Sequence, residues 1–196
     1  MILYASFTKR LLDIILAILL MPLFAVLLVV LGIAIKIDDG GPIFYCGDRL
    51  GKYGKPFKMY KFRSMEVDAP DWRLEDGSTY NAEDDPRQTR VGKVLRKTSI
   101  DEIPQLLNII KGEMSFVGPR PDPVDWLDRY SVEERVLLEV LPGVTGYNQA
   151  YYRNAADGST KTKNDVYYAK NISFAMDLQI MLASLAAVVL RKDIYK

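Results

Sequence analysis

The chain contains no histidine among its 196 residues. That absence removes serine–histidine and cysteine–histidine catalysis, imidazole base catalysis and histidine metal sites. Its one cysteine, Cys46, cannot build an intrachain disulfide framework and suits a reducing compartment. Charge of one sign is also lacking: the formal net charge is +1, so no global polyanion-binding surface is indicated, and neither a basic patch nor a nucleic-acid motif stands out. No G-x-x-x-x-G-K-[ST] loop and no G-x-G-x-x-G turn after a strand is present. Chemistry in this chain falls to carboxylates, lysine, tyrosine or a metal held by oxygen.

What is present begins with Ile14–Ile35, an uncharged run of about 22 residues, enough to cross a bilayer at 1.5 Å per residue. It is too long for the apolar core of a secretory leader and lacks a small-residue cleavage site. Pro22 lies near its middle and predicts a kink. Lys9 and Arg10 precede the run and Lys36 follows it, so the flanking charges give a spanning helix no orientation. A re-entrant helix that enters one leaflet and returns would put both basic ends on the same face. A spanning and a re-entrant helix are both consistent with these residues. Residues 1–38 are therefore read as a membrane segment and 39–196 as the domain that follows it.

Asp38-Asp39-Gly40-Gly41-Pro42 is a turn. Ile43–Cys46 and Phe57–Phe62 read as a β-hairpin, with Lys58 and Lys61 on opposite faces. Met65–Asp85 reads as an exposed polar loop without chemistry. A short amphipathic helix covers Val91–Arg96, a second covers Ile103–Ile110 and stops at Lys111-Gly112, and a third covers Asp125–Leu141. Asn171-Ile172-Ser173 reads as the cap of a final helix over Phe174–Leu190, interrupted by Asp177 and Gln179, that fits an interface or a core rather than a full span. Arg191, Lys192 and Lys196 could touch anionic head groups. The class is mainly α with a small β-hairpin (α+β).

The centre of the chain is Thr98–Asn108, where Asp101 and Glu102 stand side by side between Arg96, Lys97, Lys111 and Arg120. Ser99 and Glu102 have capping-box spacing, and acids in a first helical turn complement the dipole, so a structural role alone would account for the pair. Pro104 argues for a helix start nearer Asp101. Either start gathers free backbone N–H groups where phosphate binds. Downstream, Gly118-Pro119-Arg120-Pro121 holds one arginine in a rigid loop, and its planar fork suits phosphate oxygens. A surface ion pair is the alternative role.

Six segments in order resemble the small monotopic phosphoglycosyl transferases, also called bacterial sugar transferases. They are Lys61–Met65, Asp84–Arg87, Arg96–Glu102, Ser115–Pro121, Pro142–Gly146 and Asp165–Tyr168. The resemblance runs from about Lys9 to Leu190. It implies transfer of a phosphosugar from a UDP-sugar to polyprenol (undecaprenyl) phosphate with release of UMP, as the first membrane step of glycoconjugate synthesis. It implies Mg²⁺ and a covalent aspartyl intermediate, with Asp101 as nucleophile and Glu102 on the metal. Lys61, Arg96, Arg120 and Arg153 match basic positions that would cover diphosphate charge. Gln149 lies in the stretch where members vary around substrate, and Asp165 matches a family acid. The resemblance also implies a re-entrant helix broken at Pro22, where Met21 replaces the family serine, with amphipathic helices at the interface. Membrane lipids are then partners, the location is the bacterial inner membrane with the catalytic domain on the cytoplasmic face, and nucleic acid is not a partner. A homodimer is left open. A Mg²⁺-dependent phosphohydrolase of UDP-sugars or lipid phosphates, and a membrane-anchored binding module, are the competing readings. The sugar is not legible beyond a guess at an N-acetylated hexosamine.

Overall fold

The computed structural model describes residues 4–74, 80, 82, 84–152 and 158–190. Its first long element, α1 (Lys9–Asp39), has apolar residues on every side, so its two faces are distinguished by packing rather than by polarity. Asp13, Ala17, Phe24, Gly32 and Ile35 are buried against the body of the protein. Leu11, Ile15, Leu19, Val26, Val30, Ile33 and Ile37 form the uncovered side. The helix ends at Gly40, whose φ of 75° gives the left-handed turn that glycine adopts without a Cβ penalty.

Pro22 does not divide α1 into two helices, contrary to the expected break. Proline deletes one N–H donor and crowds the preceding turn, but it leaves the bonds on either side intact. Those sides are held here: Met21, Leu20, Leu28 and Leu31 pack on the same core as Phe24. A helix of this length extends about 46 Å at 1.5 Å per residue, yet both its ends are fastened to one body. At the start, Lys9 Nζ lies 2.6 Å from Asp177 Oδ2, and Arg10 donates to the Ile109 carbonyl at 2.6 Å. At the finish, Arg63 Nη1 donates to Asp39 Oδ2 at 2.6 Å, and Asp38 accepts from the Val91 N–H at 2.9 Å.

The expected hairpin is present as β1 (Phe44–Leu50) paired antiparallel with β2 (Pro56–Phe62), Phe44 opposite Phe62 and Leu50 opposite Pro56. The alternation of β2 buries Phe57 and Met59 and brings Phe62 onto Phe24 and Phe44. Next come α2 (Arg90–Thr98), a 3₁₀ turn (Ile100–Glu102) and α3 (Gln105–Lys111). Thr89 caps α2 by accepting from the Gly92 N–H at 2.9 Å. Gly112, with φ of 88°, closes α3 where the sequence places its stop.

Four sequence expectations are corrected. A second sheet joins β3 (Ser115–Val117) in parallel to β4 (Gly143–Thr145), three residues each and too short to show a period. Asp125–Leu141 is not one α-helix; it holds only the 3₁₀ pieces Val124–Trp126 and Glu134–Glu139. The Met65–Asp85 segment is not wholly exposed at its end, because Asp85 is buried and pairs with buried Arg87, which lies over the Trp72 ring. Ser99 makes no side-chain cap; it has φ of 58° and ends α2 as a left-handed residue, so the capping-box reading does not hold. The remaining helices are α4 (Tyr147–Tyr151), α5 (Gly158–Lys170) and α6 (Phe174–Val189). Ser173 caps α6 through the Met176 N–H, as its position suggests. On α6, Ile180 is buried while Phe174, Leu178, Leu182 and Leu185 are uncovered.

Candidate active site

Asp101 and Glu102 sit in the 3₁₀ turn between α2 and α3. The left-handed Ser99 sets the sharp bend, and its carbonyl accepts from the Glu102 N–H at 3.3 Å. Buried Asn108 fixes the far side: its Oδ1 accepts from the Tyr60 N–H at 3.0 Å and its Nδ2 donates to the Lys58 carbonyl at 2.7 Å. This amide stitches α3 to β2 and sets the strand that carries Lys61 beside the turn.

Lys61 Nζ lies 2.7 Å from Glu102 Oε1, and Arg120 Nη2 donates to the same oxygen at 3.2 Å. Asp101 is only 8% exposed and makes no hydrogen bond with any described residue. The adjacent carboxylates therefore have opposite electrostatics. Burial, with Glu102 adding repulsion, holds Asp101 above the ordinary carboxylate range despite Lys61, Arg96 and Arg120. Burial also acts to raise Glu102, but Lys61 and Arg120 outweigh it and hold that group well below its usual value.

Arg120 is placed by the small parallel sheet. The Gly118 N–H donates to the Thr145 carbonyl and the Gly143 N–H to the Pro119 carbonyl, both at 2.9 Å. A Cβ at Gly143 would lie 2.1 Å from the Gly118 nitrogen, and one at Gly118 would lie 2.4 Å from the Leu141 carbonyl oxygen. Only glycine permits this approach. Beyond Arg120, Asp122 accepts from Tyr130 Oη at 2.8 Å and Lys161 Nζ at 3.0 Å.

Asp165, on α5, is 3% exposed, and its Oδ1 lacks a partner. Burial raises its pKa to about 7, against the lowering charge of Lys161. Gln149, on α4, holds both amide atoms buried and unpartnered, its Oε1 over Gly146. Lys61, Arg96, Arg120, Asp101 and Glu102 are thus one electrostatic group. Asp165 joins it only through the field of Arg120, and Gln149 makes no hydrogen bond to it. Arg153 lies outside the described residues. Asn108, Asp122 and Lys161 are the positioning groups that sequence reasoning missed; their signal was the polar residue inside the apolar α3 pattern and the acid two residues past Arg120.

Among the described residues no three cysteine or carboxylate groups gather as a metal cage. Two hard carboxylates side by side match Mg²⁺, which takes one or two protein carboxylates and fills its sphere with water and phosphate oxygens. The donor set thus fits a metal carried with a phosphate ligand.

A buried carboxylate with no hydrogen bond among the described residues thus stands beside a cation-clamped one, on an α+β body that carries a bare apolar helix face. The sequence model of the family described as bacterial sugar transferase matches residues 4–191, and the chain belongs to that family. It is 36% identical over 189 residues to a UDP-N-acetylgalactosamine-undecaprenyl-phosphate N-acetylgalactosaminephosphotransferase of Aeromonas hydrophila, covering 93% of this chain and 44% of the relative. It is 39% identical over 200 residues to an undecaprenyl-phosphate galactose phosphotransferase of Salmonella typhimurium, covering 96% and 42%. An uncharacterized sugar transferase EpsL of Bacillus subtilis is 39% identical over 186 residues, covering 95% and 89%. The chain therefore spans less than half the length of the first two relatives.

Proposed function

We propose that this protein is a phosphoglycosyl transferase that moves a sugar phosphate from a UDP-sugar to polyprenol phosphate and releases UMP. The observation that carries the reading is the Asp101–Glu102 pair: one buried carboxylate without a hydrogen bond among the described residues, the other clamped by Lys61 and Arg120. The names of the two phosphotransferase relatives supply the substrate class.

In this reading the Asp101 carboxylate oxygen attacks the β-phosphorus of the donor. The bond from that phosphorus to the bridging oxygen breaks, and UMP leaves with the electron pair. An oxygen of the acceptor phosphate then attacks the same phosphorus, and the Asp101 carboxylate leaves. One P–O bond forms and one breaks in each step, so no redox partner is needed. A carboxylate raised above its usual range is a stronger nucleophile while still ionised near neutrality. Lys61, Arg96, Arg120 and Arg153 cover diphosphate charge, which is the main demand of phosphoryl transfer. Glu102 with waters would hold Mg²⁺, which supplies further charge neutralisation when bound. Gln149 and Asp165 serve substrate binding.

The membrane reading rests on the two fastened ends of α1 and on its bare apolar side. The fastening of both Lys9 and Asp39 to one body supports reading α1 as monotopic and re-entrant, entering one leaflet from the cytoplasmic face of the inner membrane. The bare side of α6 lies at the interface. The acceptor phosphate then meets the site at head-group depth.

Intact-protein mass after mixing purified protein with a panel of UDP-sugars and Mg²⁺, without acceptor, tests the reading. An added phosphosugar mass on the wild type, absent in Asp101→Asn, is the expected result. The absence of both an adduct with any donor and UMP release after adding polyprenol phosphate would overturn it.

A further inference from the structure

Arg49 is the half-buried cation that the site described above leaves unexplained. Its backbone is fixed at a junction of three segments. It lies opposite Phe57 across the hairpin, forms a bridge with Pro123, and precedes Leu50, whose N–H donates to the Asp122 carbonyl at 2.9 Å. That junction places it beside the loop that presents Arg120.

A guanidinium at such a junction normally finds a carboxylate. The neighbouring acids are taken by others. Asp48 pairs with Lys58 at 3.1 Å. Asp122 is held by Tyr130 and Lys161. Arg49 makes one hydrogen bond among the described residues, from Nη1 to the Asp48 carbonyl at 2.9 Å, and no ion pair. Burial lowers its pKa most, the positive charges of Arg120 and Arg73 act the same way, and Tyr45 and Asp122 oppose them. Like charges brought together out of water repel each other, and the acids whose charge reaches Arg49, Asp122 and Asp71, are each ion-paired to another cation. Arginine presents five N–H donors in a planar fork, and most of this fork is unclaimed. Phosphate oxygens match that fork and its charge.

We propose that Arg49, acting with Arg120, seats a phosphate group of a substrate bound at the Asp101 site. This rests on the transferase reading for the identity of that substrate. Two sources share the chemistry: the phosphate that stays with the nucleoside, and the phosphate of the lipid acceptor. Arg49 is a binding residue, and no bond to the reacting phosphorus is assigned to it.

Equilibrium binding tests it without turnover. Detergent-solubilised wild type, Arg49→Gln and Arg49→Lys are titrated with UMP and with uridine, then with a short polyprenyl phosphate and with the matching alcohol. Circular dichroism and melting temperature check that each variant is folded. A charge-assisted hydrogen bond to phosphate corresponds to roughly ten- to a hundredfold in affinity. Arg49→Gln is expected to lose that much for one phosphate probe and nothing for its phosphate-free counterpart, with Arg49→Lys between. Loss confined to UMP assigns the donor phosphate, and loss confined to the polyprenyl phosphate assigns the acceptor. Unchanged affinity for both phosphate probes in a folded Arg49→Gln overturns the proposal, as does a wild type that binds neither. Phosphate-specific loss in a wild type background that yields no adduct and no UMP release would instead remove the transferase reading and leave the phosphate seat standing.

Discussion

Lys61 Nζ lies 2.7 Å from Glu102 Oε1, with both side chains less than one-fifth exposed. The contact joins strand β2 to the turn that carries Asp101 and Glu102. Lys61 is also the largest positive influence on Asp101, the next carboxylate along. Replacing it with methionine keeps the apolar stem and removes the charge. The Asp101 pKa then rises further, so less of this carboxylate is ionised at neutral pH. We expect the acid limb of the pH profile for adduct formation to move to higher pH in Lys61→Met. A profile that only scales down, with its acid limb in place, would separate Lys61 from the ionisation of Asp101.

Asp165 gives a stability prediction with a defined sign. Its folded pKa, about 7, is higher than the ordinary carboxylate value of about 4. Between those values the folded chain keeps a proton that the unfolded chain has lost. Stability from this group is therefore complete at low pH and falls as pH rises to about 7. Asp165→Asn removes that slope. Its melting temperature should exceed the wild type's at pH 8 and match it near pH 4, while transfer activity falls. A parallel offset at both pH values would show that the carboxylate is not the cause.

Gly143→Ala tests how the Arg120 loop is held. The new Cβ would meet the Gly118 nitrogen at 2.1 Å, which is backbone and cannot swing aside. The β3–β4 pair must open, and overpacking of this kind costs about 1–3 kcal/mol. Thermal melting should show that loss, and donor binding should weaken because Arg120 moves with the loop. An unchanged melting temperature would mean the two strands separate freely.

Arg120→Lys keeps the charge but loses the fork that reaches Glu102 at 3.2 Å. A lysine is a point charge and covers phosphate oxygens less well. We expect kcat/KM to fall by roughly ten- to a hundredfold with little change in melting temperature, because the Arg120 side chain is 43% exposed and such pairs contribute little to stability. Steady-state kinetics over a range of donor concentrations reads this directly.

The membrane proposal has its own test. Single cysteines at Thr8 and Lys36, in a Cys46→Ser background, mark the two ends of α1. An impermeant thiol reagent applied to intact cells should label neither, and both should react after lysis. Labelling of one end from outside would require a spanning helix and overturn the re-entrant reading.

The hairpin, the glycine stops at Gly40 and Gly112, the Ser173 cap and the membership of the family are legible in the residues alone. Each depends on local periodicity, a turn residue or a linear motif, and such signals survive without knowledge of the fold. The 3₁₀ pieces after Pro121 share the apolar spacing of one helix, and only the structure shows that they are separate. The parallel β3–β4 pair leaves no signal, since three-residue strands are too short for alternation, and pairing across 25 intervening residues is a tertiary matter.

At the site the sequence by itself determined the chemistry on offer: two adjacent carboxylates, several arginines, and no imidazole. It also set α1 as a long apolar helix. The division of labour within the Asp101–Glu102 pair was decided only by tertiary structure. Neighbouring residues share composition and spacing, but a carboxylate's proton affinity depends on burial and on which cations reach it. Folding brings Lys61 from 41 residues away and Arg120 from 18 residues away onto Glu102, and leaves Asp101 buried with no hydrogen bond to a described residue. Short-range chain geometry cannot encode that asymmetry, because the charges that create it come from other elements.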